Sequence, residues 1–471
     1  MLELEHYRDY LSQAEFDALQ ASLGISLPQS LRVNTLRHAP DIAQDWAARY
    51  AWLLEPAPFS PAGWRLRDYD RQLGRRREHL MGDYFIQEAA SMLPAELFSA
   101  ADAPLVLDMA AAPGGKTTHL ADRFADRALI LANDSSARRL HALRANLQTW
   151  GAVGVAITHF KAEHFGAWFP ETFDKILLDA PCSGDTLRPT KGRKARAISP
   201  NERAQLAARQ AALLESAFAA LAPGGELVYS TCTLSPDENE AHIDALLRRY
   251  AMAEVVPTRF DAPGLTHTPE TDFHPALADA VRLWNHRYHT AGFFAVCLRK
   301  TDHAPTLAHE TPPARAMDDL PWERATPDVL ETLCGTLRDD YGLENPPWDD
   351  TLYDIYVSHD TLYALPKRLF ETFGGLPLFG AGLLIGGWMA DAFIPSHELV
   401  ARYWPAFTQR RVTLPPEQVD NWLAGADWHR DAPPDLLGRV ALLQTSAGDY
   451  LGRGKVLAKR IRNLLPKGAR R

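Results

Sequence analysis

The chain has 471 residues, 46% hydrophobic and 23% charged, which predicts a folded protein of about three domains. Its net charge of −9 excludes a uniformly basic nucleic-acid binder, so any such partner must be met by local basic patches. The cysteines (Cys182, Cys232, Cys297 and Cys334) are too few and too scattered for a disulfide framework or a zinc site, and no apolar run approaches the ~20 residues of a membrane span. A cytoplasmic monomer with no metal and no membrane contact is expected, and the polar N-terminus has no signal-peptide core.

Residues 1–100 read as a small α/β unit. Glu15 to Leu23 is helix-like, and Ser12 with Glu15 predicts a capping box. SLRVNTLR, from Ser30, alternates like a strand. A run of arginines between Arg71 and Arg77 follows, and Gly82 to Phe98 has apolar residues at helical spacing, which predicts a helix. Residues 101–300 alternate strand and helix, which predicts an α/β domain with a mainly parallel sheet. Residues 301–320 are rich in Pro, Thr and Ala and read as a linker. Residues 321–385 predict a small intermediate domain, with Thr326 capping a helix and TLYDIYVSHDTLYAL as a hairpin. Residues 386–471 predict a basic, strand-rich domain, with eight Lys/Arg and no acid between Arg453 and Arg471.

In such a sheet, ligands bind at the carboxyl ends of the strands. Those ends carry Asp108, Asp134, Asp179 to Cys182, and Thr231 to Cys232. The first strand runs into a tight turn and then a helix, LVLDMAAAPGGKTTHL, and such a turn lets backbone approach a ligand. A phosphate-binding P-loop needs a glycine where Ala110 stands, and no G-x-G-x-x-G is present, so NTPase and dinucleotide readings are disfavoured. Asp134, 18 residues after Lys116, can accept the hydrogen bonds of a ribose diol. A nucleoside cofactor without phosphates fits, and S-adenosylmethionine is the candidate.

Cys182 and Cys232 follow the fourth and fifth strands, so neighbouring strand ends would bring both thiols to one cleft. Carbon 5 of a pyrimidine is a poor nucleophile, but a thiolate added at carbon 6 makes the ring an enamine that accepts a methyl group at carbon 5. A base must then take the carbon 5 proton, and a second thiol suits that step. Asp179 is placed to act at ring nitrogen 3. Chemistry alone does not decide which cysteine attacks. Cys297 and Cys334 lie in core-like patterns and read as structural.

DMAAAPGGKTT, LLDAPCSG and YSTCTLSPDENE, in that order, resemble the Nol/Nop/Sun family of RNA 5-methylcytosine methyltransferases, with FIQEAASMLP and WNHRYHTAGFF as flanking motifs. The length, SLRVNTLR and the C-terminal LGRGKVLAKRIRN resemble its bacterial members that act on 16S ribosomal RNA, the F type. The resemblance implies a Rossmann-like core, an RNA-binding N-terminal unit and a PUA-like C-terminal domain. It implies that Ala110, Ala111, Ala112, Pro113, Gly114, Gly115 and Lys116 contact S-adenosylmethionine, that Asp134 takes the ribose, and that Asp179 lies between cofactor and base. It makes Cys232 the nucleophile and Cys182 the release residue. The implied partner is 16S ribosomal RNA or the small ribosomal subunit. The same chemistry on transfer RNA, or a non-catalytic ribosome-assembly factor, are the alternatives. The chain departs from the family where Lys161 replaces an acid that reaches the adenine, with Glu163 nearby. Asp185-Thr186 and a basic stretch (Arg188, Lys191, Arg193, Lys194, Arg196) follow Cys182, and Ala291 also stands where an acid is common.

Overall fold

The computed structural model describes residues 7–23, 25–184, 199–305, 307–316, 319–389 and 392–470. The basic stretch expected after Cys182 lies outside the described residues.

The N-terminal unit is a helix, Gln13–Leu23, followed by a four-stranded antiparallel sheet. The capping box forms, with the Ser12 and Glu15 side chains each accepting the other's backbone N–H at 3.3 Å. The strand expected from SLRVNTLR is Gln29–Val33, central in the sheet between Gly63–Asp68 and Tyr84–Ile86. Gly82 to Phe98 is not one helix. Tyr84–Ile86 is a strand paired with Leu31–Val33, and helical turns form only over Ala89–Met92 and Leu93–Glu96. Sheet pairing overrides the helical spacing there, and Glu88 starts the turn by accepting from the Ala90 and Ser91 N–H groups. Within the arginine run, Arg77 is partly buried and pairs with Asp83 at 2.8 Å.

The core sheet places five parallel strands in the order Val155–Thr158, Leu129–Asn133, Leu105–Asp108, Phe173–Asp179, Leu221–Thr231. Phe293–Lys300 then pairs antiparallel with the fifth. The order reverses beside the first strand, which opens a crevice between the first and fourth strands at their carboxyl ends. The four residues Ala222 to Gly225 turn out of the pairing between Leu221 and Glu226, where Lys175 meets Glu226 in register. Leu105–Asp108, Leu129–Asn133 and Val155–Thr158 are buried on both faces, as a parallel sheet covered by helices requires. Gly115–Arg123, Ala137–Trp150 and Pro200–Ala220 are helices of that cover.

The first helix of the core is tied to the N-terminal sheet by Arg32. Its guanidinium, fully buried, pairs with Asp122 and donates to the Gly115 carbonyl (3.2 Å), Thr118 Oγ1 (2.7 Å) and Gln87 Oε1 (3.1 Å). It also lies 4.7 Å over the Trp150 ring. Gln87, which packing alone does not require, is thus explained as its partner.

The expected hairpin forms as Tyr353–Ser358 and Thr361–Pro366 in a five-stranded sheet, behind the helix Pro327–Tyr341. The division expected between residues 385 and 386 falls inside the strand Leu383–Met389, which pairs with Ala392–Pro395 and keeps that sheet together to Pro395. Gly380–Ala381 adds an antiparallel edge to the core sheet. The last unit is a second five-stranded sheet, from Arg411–Thr413 to Arg460–Asn463. Its cations are not a free stripe. Lys459 pairs with Asp431 at 2.6 Å and Arg460 with Asp427 at 3.3 Å, while Arg453 donates to the Pro395 carbonyl at 2.6 Å. Among the described residues, no helix is long and apolar enough to cross a membrane, and no cluster of His, Cys, Asp and Glu is arranged to hold a metal ion.

Candidate active site

The carboxyl ends of the first, second, fourth and fifth strands surround a cavity of about 480 Å³. Ala110, Asp134, Asp179, Cys182 and Cys232 all line it. These are residues the sequence picks out, and the sheet brings them together because their strands are neighbours. Asp179 pairs with Ser230 in register, so the segments leading to Cys182 and Cys232 leave the sheet side by side. The two Sγ atoms come to 3.1 Å. That hydrogen bond, with burial, pushes the Cys182 thiol well above its ordinary range. Cys297 and Cys334 lie outside the cavity lining, Cys297 buried in the core.

Asp179 is held from two sides. Lys116 Nζ donates to one carboxylate oxygen at 2.7 Å and Ser230 Oγ to the other at 2.8 Å. Burial alone would lower the Lys116 ammonium, but Asp179 holds it above its ordinary value. Below it, Asp108 is sealed in the core and accepts from Thr117 Oγ1 at 2.7 Å. Burial raises its carboxyl to about 7, with Asp179's charge adding to the rise.

The glycine turn is shaped from behind. Gly114 has φ 109°, a conformation open to glycine, and a Cβ there would lie 3.1 Å from Leu143 Cδ1. Ala111 and Ala112 pack into the core and Pro113 is exposed, so of the stretch Ala110 to Lys116 only Ala110 borders the cavity directly. Lys116 reaches Asp179 instead. Asp134 accepts the Ala112 N–H at 3.2 Å and the Ser136 N–H at 2.9 Å, and pairs with Arg139 at 3.2 Å. Arg139 also borders the cavity, one turn into the helix; nothing in the sequence pattern distinguishes it from the other basic residues there. Lys161 is exposed and does not line the cavity, whereas its neighbour Ala162 does. Glu163 turns to Arg209, at 3.2 Å. Near Ala291, Glu88 Oε1 accepts the Ala291 N–H at 3.3 Å, which places a carboxylate beside the position where the family often has an acid.

A parallel sheet with this order, a glycine turn after its first strand and acids at the next strand ends define a methyltransferase of the Rossmann-like class. Comparison with known proteins agrees. Residues 95–299 match the family described as 16S rRNA methyltransferase RsmB/F, and residues 4–89 the N-terminal domain of 16S rRNA methyltransferase RsmF. Ribosomal RNA small subunit methyltransferase F of Shewanella oneidensis is 34% identical over 465 residues, covering 97% of this chain and 93% of that one. Its namesake from Cronobacter sakazakii is 35% identical over 447 residues, covering 94% and 90%. A solved methyltransferase homologue from Pyrococcus horikoshii superposes with a TM-score of 0.57 at 32% identity, covering 63% of this chain and 93% of that one. The chain belongs to the RsmB/F family of 16S rRNA methyltransferases.

Proposed function

We propose that the protein methylates carbon 5 of a cytosine in 16S ribosomal RNA through a covalent adduct on Cys232. The observation that carries this reading is the pair of thiols 3.1 Å apart beside Asp179, in a cavity that also reaches Asp134.

S-adenosylmethionine suits the donors present. A carboxylate at the second strand fits a ribose diol, and the turn lacks the glycine cradle a polyphosphate needs. Ala110 and Asp134 would hold it, with Arg139 bordering the same space, and it supplies an electrophilic methyl group. Relatives named as ribosomal RNA small subunit methyltransferase F support the choice of ribosomal RNA.

The residues then have distinct roles. The Cys232 thiolate adds to carbon 6, and the carbon 5–carbon 6 π pair becomes nucleophilic at carbon 5. Asp179, held by Lys116 and Ser230, meets ring nitrogen 3 and relays a proton there from Lys116 as charge develops. Once Cys232 is bonded to carbon 6, its hydrogen bond no longer holds the Cys182 proton, which leaves to solvent, and after methylation the Cys182 thiolate takes the carbon 5 proton. The released C–H pair re-forms the double bond and expels the Cys232 thiolate. The target base must leave its stack to reach this cleft. Residues 1–100 and the C-terminal basic domain, a PUA-like unit in this reading, hold the RNA of a monomeric enzyme.

Bisulfite sequencing of RNA from cells with and without the gene tests the substrate. One 16S cytosine should lose protection in the deletion strain. An unchanged 16S pattern with a changed transfer RNA would contradict the proposal.

A further inference from the structure

We propose that Glu238 is a positioning residue that aims Cys182 at the proton it must remove, an inference that rests on the release role of Cys182. Glu238 ends the short turn Pro236–Glu238 after the fifth strand and is fully buried. Its Oε2 accepts the Ser183 N–H at 2.8 Å and Gln210 Nε2 at 2.9 Å. The same Gln210 nitrogen donates to the Pro181 carbonyl at 2.8 Å. The chain is therefore held on both sides of Cys182, directly after it and through Gln210 before it.

The anchor is itself braced. Gln210, also fully buried on the long helix, has its Oε1 3.1 Å from His242 Nε2. The Glu238 carbonyl accepts the Tyr229 hydroxyl at 2.6 Å. Its Oε1 has no hydrogen-bond partner among the described residues. Burying a carboxylate with one oxygen unpaired is costly, and nothing in the packing of this turn calls for a charge. The gain is a charge-assisted clamp on the loop that carries the thiol.

Release needs such a clamp. The carbon 5–hydrogen bond breaks as its electron pair re-forms the ring double bond. The carbon 6–sulfur pair returns to Cys232, and the proton passes to the Cys182 thiolate, whose own proton has already left to solvent. Cys182 must reach carbon 5 while Cys232 is bonded to the adjacent carbon 6. A displacement of about 1 Å at such a step costs on the order of 10²-fold. Glu238 holds the chain on both sides of Cys182, so its loss is expected to fall on release rather than on attack by Cys232.

The test compares Glu238→Ala with Cys182→Ser, each given a 16S transcript and methyl-labelled S-adenosylmethionine and run on a denaturing gel. Both variants should accumulate a methyl-labelled protein–RNA adduct, and turnover of Glu238→Ala should fall by about 10- to 100-fold. Glu238→Gln keeps an acceptor oxygen and should restore most of the release. If Glu238→Ala loses adduct and first methyl transfer together while Cys182→Ser accumulates adduct, Glu238 is merely structural and the inference fails alone. If Cys182→Ser forms no adduct, the release role falls and takes the inference with it. Gln210→Leu removes the shared donor and is read the same way should Glu238→Ala not fold.

Discussion

The two ends of the core sheet differ in how far their charged groups are open to solvent. At the amino ends, ions are matched and closed off. Glu226 binds Lys175 (2.7 Å), Arg299 (3.0 Å) and the Ser99 N–H (2.9 Å), and Asp174 accepts the Leu105 N–H at 2.7 Å. Lys300, fully buried, reaches Glu171 at 2.8 Å and the Leu221 carbonyl at 2.9 Å. At the carboxyl ends, Asp134, Asp179 and two thiols face an open cavity. One end stabilises the sheet and the other holds reactive groups beside solvent, so substitutions at the two ends should fail differently.

The largest effect belongs to the open end. Cys232→Ser should reduce methylation of 16S RNA to background in a filter-binding assay while the melting temperature barely moves. Next, Glu226→Ala at the closed end should cost about 3–5 kcal/mol in denaturant titration, because it leaves Lys175 buried without its partner. The activity per folded molecule should stay near normal, and a specific loss of catalysis would break the contrast between the ends. This end also predicts a pH dependence. Burial alone would raise the Glu226 carboxyl, but Lys175, Ser99 and Arg299 bring it down to about 2. A depressed folded value means the contribution is complete above the unfolded value of about 4.3 and is lost as pH falls towards 2. Glu226→Gln should flatten that acid limb of the stability curve.

A smaller effect is expected at Asp134. Asp134→Asn should raise the KM for S-adenosylmethionine about ten-fold, with kcat little changed, as loss of hydrogen bonds to a charged group implies. A fall in kcat at unchanged KM would place Asp134 with the reacting groups instead. The smallest is at the tail. Replacing Arg462 and Lys467 together should weaken RNA binding evenly and lower the slope of log K against log salt by about one to two. An unchanged slope would remove these cations from the RNA face.

The open end was largely legible in the sequence because its residues sit in short motifs at the ends of consecutive strands, and strand adjacency brings them together. Asp134, Asp179, Cys182 and Cys232 needed only the sheet order to meet. The partners that hold them were not legible. Arg32 reaches the glycine-turn helix from 83 residues before Gly115, and Gln210 reaches Pro181 from the middle of a long helix. No local pattern marks such pairs, since each joins residues distant in sequence. The same limit explains the stretch from Gly82 to Phe98. Its apolar spacing satisfies a helix, and only the neighbouring strand Gln29–Val33 makes Tyr84–Ile86 extended. It also explains the tail, where the acids that neutralise Lys459 and Arg460 lie about 30 residues earlier in the chain.

In the proposed reaction Cys232 attacks the base and Cys182 releases it. Incubating Cys182→Ser protein with 16S RNA and S-adenosylmethionine, then sequencing the cross-linked peptide by mass spectrometry, tests it directly. The expected product is a methylated cytosine bonded to Cys232. A cross-link at Cys182 in the Cys232→Ser protein, with none in the Cys182→Ser protein, would contradict it.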